Sequence, residues 1–145
     1  MNRDSNWWHN WFFGLAEHVA SASKDPSTKV GAVIVRPDRT IASVGYNGFP
    51  RGVEDTYTTR EDKLLRTVHA EANAILAARE PLHGYTLCVT PLHPCANCAA
   101  LIIQSGIKYV DYKTGPRASA WEEHFKVMAE MFDQAGVHYQ EHPNE

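Results

Sequence analysis

The chain has 145 residues, 43% of them hydrophobic, and a formal net charge of −3. That length suits a single domain over residues 1–145 with one core, and the mild acidity excludes the broad basic face that long nucleic acids require, leaving a small anionic ligand open. No apolar run reaches the roughly 18 residues that span a bilayer and the N-terminus lacks a secretory pattern, so a soluble, cytoplasmic protein with no membrane contact is expected.

Trp7, Trp8, Trp11, Phe12, Leu15 and Val19 recur at three- and four-residue steps. This spacing predicts an amphipathic helix over 7–22, with an aromatic face that either enters the core or meets another subunit. His9 and His18 are expected at its surface rather than as ligands. Pro26 ends the helix through the polar loop 23–29, which is either a solvated connection or an anion site built from Lys24 and the hydroxyls of Ser27 or Thr28.

The β-branched run 30–35, a Pro37-Asp38-Arg39 turn and the stretch 40–46 predict a hairpin. It leads into Gly45-Tyr46-Asn47-Gly48-Phe49-Pro50-Arg51-Gly52, where backbone can approach a ligand closely and Asn47 offers both donor and acceptor. Residues 58–66 are polar, a short helix or a loop. The alanine-rich segment 69–80 predicts a helix ending before Pro81, followed by a strand over 85–90. A helix over 95–104 stops at Gly106, and 107–112 forms the fourth strand. Trp121, Phe125, Met128 and Phe132 mark a long amphipathic helix closed by Gly136, and 137–140 is a last short strand. The order α-β-β-α-β-α-β-α-β predicts an α/β fold of three layers, α/β/α, around a mixed five-stranded sheet.

The chemistry gathers at two helix starts, His69-Ala70-Glu71 and Pro94-Cys95-Ala96-Asn97-Cys98. Cys95 and Cys98 share a helix face near the positive end of the helix dipole, where thiolates are favoured. With His69 they form a three-ligand zinc site with an open position. Two thiolates cancel the charge of the ion, so a water there needs a base, and Glu71 fits that role. A Cys-x-x-Cys pair taken alone is also compatible with a thioredoxin-like redox pair. A closed structural zinc site, with Cys88 or His93 as fourth ligand, is the other reading of the same residues.

His-x-Glu with Pro-Cys-x-x-Cys is the signature of zinc deaminases. On it, the chain resembles the cytidine deaminase superfamily and, within it, the deoxycytidylate (dCMP) deaminases. The likeness runs from Ser23-Lys24-Asp25-Pro26 through Val30-Gly31-Ala32, Gly45-Tyr46-Asn47-Gly48 and both zinc motifs to Ile102-Ile103-Gln104-Ser105-Gly106-Ile107. Glu61 and Lys63 also resemble family positions, without an assigned role.

The resemblance implies conversion of dCMP and water to dUMP and ammonia, with one catalytic zinc per chain on His69, Cys95 and Cys98 and Glu71 as proton shuttle. It further implies that the Ala70 N–H holds the pyrimidine carbonyl and Asn47 a sugar hydroxyl. Lys24 and Ser27 are expected at the 5′-phosphate by charge and position alone. Many dCMP deaminases are hexamers activated by dCTP and inhibited by dTTP with Mg2+, and Gly48, Arg51 and Arg117 are the corresponding effector candidates here. The Pro91-Leu92-His93 loop departs from the pattern, being longer than in many relatives. Cys88 has no evident partners for the second structural zinc that some relatives carry. The alternatives are a tRNA adenosine or free cytidine deaminase, or a non-catalytic zinc-stabilised interaction domain. The mild acidity of the chain argues against the tRNA enzyme.

Overall fold

The structure is a computed structural model in which residues 2–113 and 119–143 are described. Helix α1 (Ser5–Ala20) is followed by strands β1 (Gly31–Val35) and β2 (Ile41–Tyr46), then by helices α2 (Arg60–Arg66) and α3 (Ala70–Ala77). Strand β3 (Thr86–Thr90), helix α4 (Ala96–Ser105), strand β4 (Tyr109–Lys113), helix α5 (Ser119–Ala135) and strand β5 (His138–His142) complete the order. The strands form one sheet in the order β2-β1-β3-β4-β5. β1 runs antiparallel to both β2 and β3, whereas β3, β4 and β5 are parallel, which gives the expected mixed sheet.

Alternation along the strands divides the core into two layers. Val33, Val35 and Cys88 face α1, packing on Phe12, Phe13 and Ala16. Ala32, Ile34, Leu87, Val89 and Val110 face the other way, against Ala70 and Ala74 of α3, Ile102 of α4 and Met128 and Phe132 of α5. The aromatic stripe of α1 therefore splits. Phe12 and Phe13 are buried, whereas Trp7 and Trp11, four residues apart, stay on the exposed face. α1 begins at Ser5, earlier than the aromatic period suggests, because the Asp4 carboxylate caps it by accepting from the Trp7 N–H at 2.8 Å.

Two glycines permit the layers to close. A Cβ on Gly31 would stand 2.0 Å from the Ala16 carbonyl oxygen, and one on Gly45 would stand 2.4 Å from the Ala74 nitrogen and 2.5 Å from the Ala70 oxygen. α3 thus lies with its backbone directly on β2. It ends at Ala77, short of the predicted residue 80, because Ala78 is already extended. Glu80 is drawn off by the Arg36 guanidinium and the Tyr85 hydroxyl, both of which donate to it.

The same contacts separate two glycine substitutions. Gly45→Ala forces backbone apart and is expected to destabilise the fold by about 2 kcal/mol or more. Gly14→Ala meets nothing within 4 Å inside α1 and should stabilise by roughly 0.5–1 kcal/mol. Urea denaturation midpoints of the two variants check both signs.

Candidate active site

His69 is the N-cap of α3, in extended backbone and outside the helix proper. Two residues apart is not a same-face spacing within a regular helix, but only Glu71 is bound to helical geometry, so the His69 and Glu71 side chains can turn to one point. Cys95 is likewise the N-cap of α4, its sulfur accepting from the Cys98 N–H at 3.4 Å. The two helix starts meet with His69 Nδ1 3.4 Å from Cys95 Sγ and 3.4 Å from Cys98 Sγ.

These separations suit one ion. Tetrahedral zinc bonded to nitrogen at ~2.05 Å and sulfur at ~2.3 Å places the two donors about 3.5 Å apart. The protonation chemistry agrees with the donor set. The Cys95 thiol is held down at about 4, first by its hydrogen bond with Cys98 and then by His69. Cys98 is raised by that same hydrogen bond and by burial, so the pair shares a proton that a bound cation would displace. His69 is raised, chiefly by its bond to Cys95.

Glu71 is buried beside this cluster, and burial pushes its carboxyl up to about 7, against the opposing pull of His69. It opens on a cavity of about 130 Å3 together with Ala70, Asn47, Ser27, Lys63 and Trp121. Leu92 and His93 of the 91–93 loop also line this cavity. The His93 ring packs edge-on against Trp121 and Phe125, and its Nδ1 lies 2.7 Å from the Pro94 oxygen. Cys88 cannot complete a closed site, since it lies on the α1 face of the sheet with Phe13 and Val33.

The sequence-derived ligand residues are distributed unevenly. Asn47 reaches the cavity, but its Oδ1 accepts from the Val30 N–H at 2.9 Å and its Nδ2 donates to the Thr28 oxygen at 2.9 Å. One donor and one lone pair of the amide remain. Ser27 lines the same cavity. Lys24 does not: its ammonium is exposed and bonded to Asp55 at 2.9 Å, on a neighbouring cavity of about 210 Å3 that also holds Gly48. Arg51 is exposed and lines neither cavity, Glu61 is also exposed, and Arg117 lies outside the described residues.

The lysine in the catalytic cavity is Lys63, buried on α2, with Nζ 2.9 Å from Asp25 Oδ1 and 3.2 Å from Ser27 Oγ. Burial works against the Asp25 charge, but the Lys63 bond and the Ser27 and Thr28 amides outweigh it and keep the carboxyl below its usual range. Asp25 thereby organises the whole 25–28 loop. Its signal was present in the sequence as an Asp followed by Pro-Ser-Thr, a pattern whose carboxylate takes the amides two and three residues on. Lys63 carried no such signal beyond the resemblance. Arg60, at the start of α2, joins it on the cavity wall.

Residues 6–114 match the family model of the cytidine and deoxycytidylate deaminase zinc-binding region. This chain belongs to that deaminase family. An uncharacterized deaminase in the luxG 3′ region of Aliivibrio fischeri is 52% identical over 134 residues, covering 90% of each chain. A probable deoxycytidylate deaminase of Drosophila melanogaster is 38% identical over 148 residues, 93% of this chain and 72% of its own. Among solved structures, the dCMP deaminase of cyanophage S-TIM5 in complex with dCMP and dUMP superposes with a TM-score of 0.76 at 26% identity, covering 97% of this chain and 100% of that one. The fold is accordingly the cytidine deaminase-like one, and the protein is a hydrolytic deaminase acting on cytosine.

The raised Glu71 carboxyl fixes the sign of a pH effect. Between about 4.5 and 7 the unfolded chain releases this proton and the folded one keeps it, so ionisation costs stability progressively and fully above 7. In the metal-free protein, Glu71→Gln is expected to stabilise the fold by roughly 3 kcal/mol at pH 8 and by almost nothing at pH 4. Thermal unfolding of both proteins across that range measures the difference.

Proposed function

We propose that residues 1–145 act as one zinc-dependent domain that deaminates dCMP to dUMP and ammonia. The observation that carries this reading is the buried Glu71 carboxyl beside the His69, Cys95 and Cys98 donors, in a cavity also lined by Lys63, Arg60 and Ser27. His69, Cys95 and Cys98 would hold the ion. Bound there, zinc supplies Lewis acidity that makes a water molecule acidic enough to react near neutral pH.

The remaining steps belong to the chain. Glu71 accepts a proton from the attacking water and delivers it to N3 of the cytosine as a C4–O bond forms. It takes the second water proton and passes it to the amino nitrogen as the C4–N bond breaks, so that ammonia leaves and a carbonyl remains. Burial raises the Glu71 carboxyl while a cation held by the neighbouring donors would favour its charged form, and these opposed influences suit a group that must both take and give up a proton. The Ala70 N–H, at the start of α3, donates to the base carbonyl, and the spare N–H or lone pair of Asn47 meets the sugar hydroxyl. Trp121 offers an aromatic wall to the base.

The phosphate end of the substrate falls to Ser27, Lys63 and Arg60, with Lys24 acting from the neighbouring cavity. The same reading includes regulation by dCTP as activator and dTTP as inhibitor, with Mg2+ on the triphosphate, in a hexamer. What supports regulation is a shared partition. Asp25, Asn47, Lys63 and Thr67 line both cavities, so a ligand in the one that holds Gly48 presses on side chains of the other. Arg51 and Arg117 remain the effector-phosphate candidates. Action in the reducing cytoplasm accords with Cys88, Cys95 and Cys98 all being unpaired thiols.

Ammonia release measured on dCMP, deoxycytidine, cytidine, dCTP and a tRNA tests the substrate, and turnover of cytidine equal to that of dCMP would sink the phosphate assignment. Glu71→Ala is expected to retain zinc and fold while losing at least ~10³-fold in kcat; undiminished turnover in that variant refutes the mechanism. Lys63→Met should raise KM for dCMP about tenfold more than KM for deoxycytidine. Adding dCTP or dTTP to the same assay reads out the regulation.

A further inference from the structure

A second group of metal-ligating side chains lies on the opposite face of the sheet from the deaminase site. His9 of α1, Asp111 of β4 and His142 of β5 bring one ligand atom each to within 4.8 Å of one another. The Asp111 carboxylate is divided between the rings: Oδ1 is 2.8 Å from His142 Nε2, and Oδ2 is 3.8 Å from His9 Nε2. The two imidazole centroids are 4.5 Å apart. His142 is buried, and the side chains of His9 and Asp111 are only 31% and 15% exposed. His9, expected at the surface from the helical period of α1, is thus turned inward over β4 and β5.

We propose that His9, Asp111 and His142 form a second, non-catalytic site for a divalent transition-metal ion, with zinc as the physiological occupant. Two imidazoles and one carboxylate form a borderline donor set that prefers zinc, cobalt or nickel to magnesium or calcium. Each ring meets its own carboxylate oxygen, at 2.8 Å for His142 and 3.8 Å for His9, distances on either side of the ~3.3 Å expected between oxygen and nitrogen donors on one tetrahedral zinc. A small rotation of His9 closes the wider gap. Binding requires the His142 Nε2 proton to leave, with the ring then held as its Nδ1–H tautomer.

The surroundings set what such an ion would do. Phe13 packs against the His142 ring at 5.1 Å, and the Lys113 ammonium sits over the Phe13 ring, 5.0 Å from its centroid. Cys88 faces the same region, its thiol raised by burial and, to a lesser degree, by the Asp111 charge. α1 packs mainly over β1, β2 and β3, and His9 and Phe13 are the residues by which it reaches the β4–β5 half of the sheet. An ion bridging His9 to Asp111 and His142 would staple α1 across that half. The site is structural, and the one zinc per chain suggested by the sequence becomes two.

The test counts metal. Protein dialysed against excess zinc at pH 7.5 and then gel-filtered is expected to retain two zinc ions per chain by mass spectrometry, against one for His9→Ala and Asp111→Asn. Both variants should keep the far-UV circular dichroism and the cytosine deamination of the parent. Relative to protein holding a single equivalent, the second should raise Tm by roughly 5–10 °C at a hundredfold excess over Kd, and His9→Ala should abolish the rise. His9→Cys should restore the second ion. Retention of one zinc by the parent, or of two by both His9→Ala and Asp111→Asn, overturns the proposal and leaves the cluster as a hydrogen-bonded ion pair.

Discussion

The deaminase centre depends on a close approach of backbone to backbone. α3 can lie flat on β2 because Gly45 has no side chain, and this sets the depth at which His69 and Glu71 enter the molecule. α4 is held from the other direction. Its first turn is gripped by α5, where the His124 ring accepts from the Ala96 N–H at 3.0 Å, and its length packs Ile102 beneath the sheet. The metal donors therefore come from two helix ends whose positions are fixed by packing away from the donors themselves. Preorganisation of that kind is what lets three short side chains meet without strain.

The site also shows how one environment assigns opposite roles to neighbouring acids. Burial makes Glu71 a reluctant anion, whereas Asp25, lining the same cavity, stays charged because an ammonium and two amides surround its oxygen. Desolvation acts on both. The difference is the supply of donors.

Much of this was legible in the amino-acid order. The strands, the long helices and the mixed sheet followed from period and punctuation, and His69, Glu71, Cys95 and Cys98 followed from two short motifs. Element ends were read less well, because caps and tertiary partners decide them: Asp4 starts α1, and the pull of Arg36 and Tyr85 on Glu80 helps to end α3. Side-chain direction was the harder quantity. Nothing in the local sequence says that Lys24 turns out to Asp55 while Lys63, far along the chain, turns in to Asp25. Nor does the helical period of α1 place His9 beside residues from the last two strands. Those pairings exist only once the sheet order has brought distant segments together.

The two margins of the sheet are unequal. β5 presents His138, Gln140 and Glu141 as exposed residues along its outer strand, a polar and partly charged border that discourages further strand pairing. β2, at the other margin, exposes Val44 and Tyr46 instead. Intermolecular pairing, whether orderly or as aggregation, is therefore resisted at the C-terminal border and far less guarded at the hairpin. The hairpin that supports α3 is also the border of the molecule least protected against self-association.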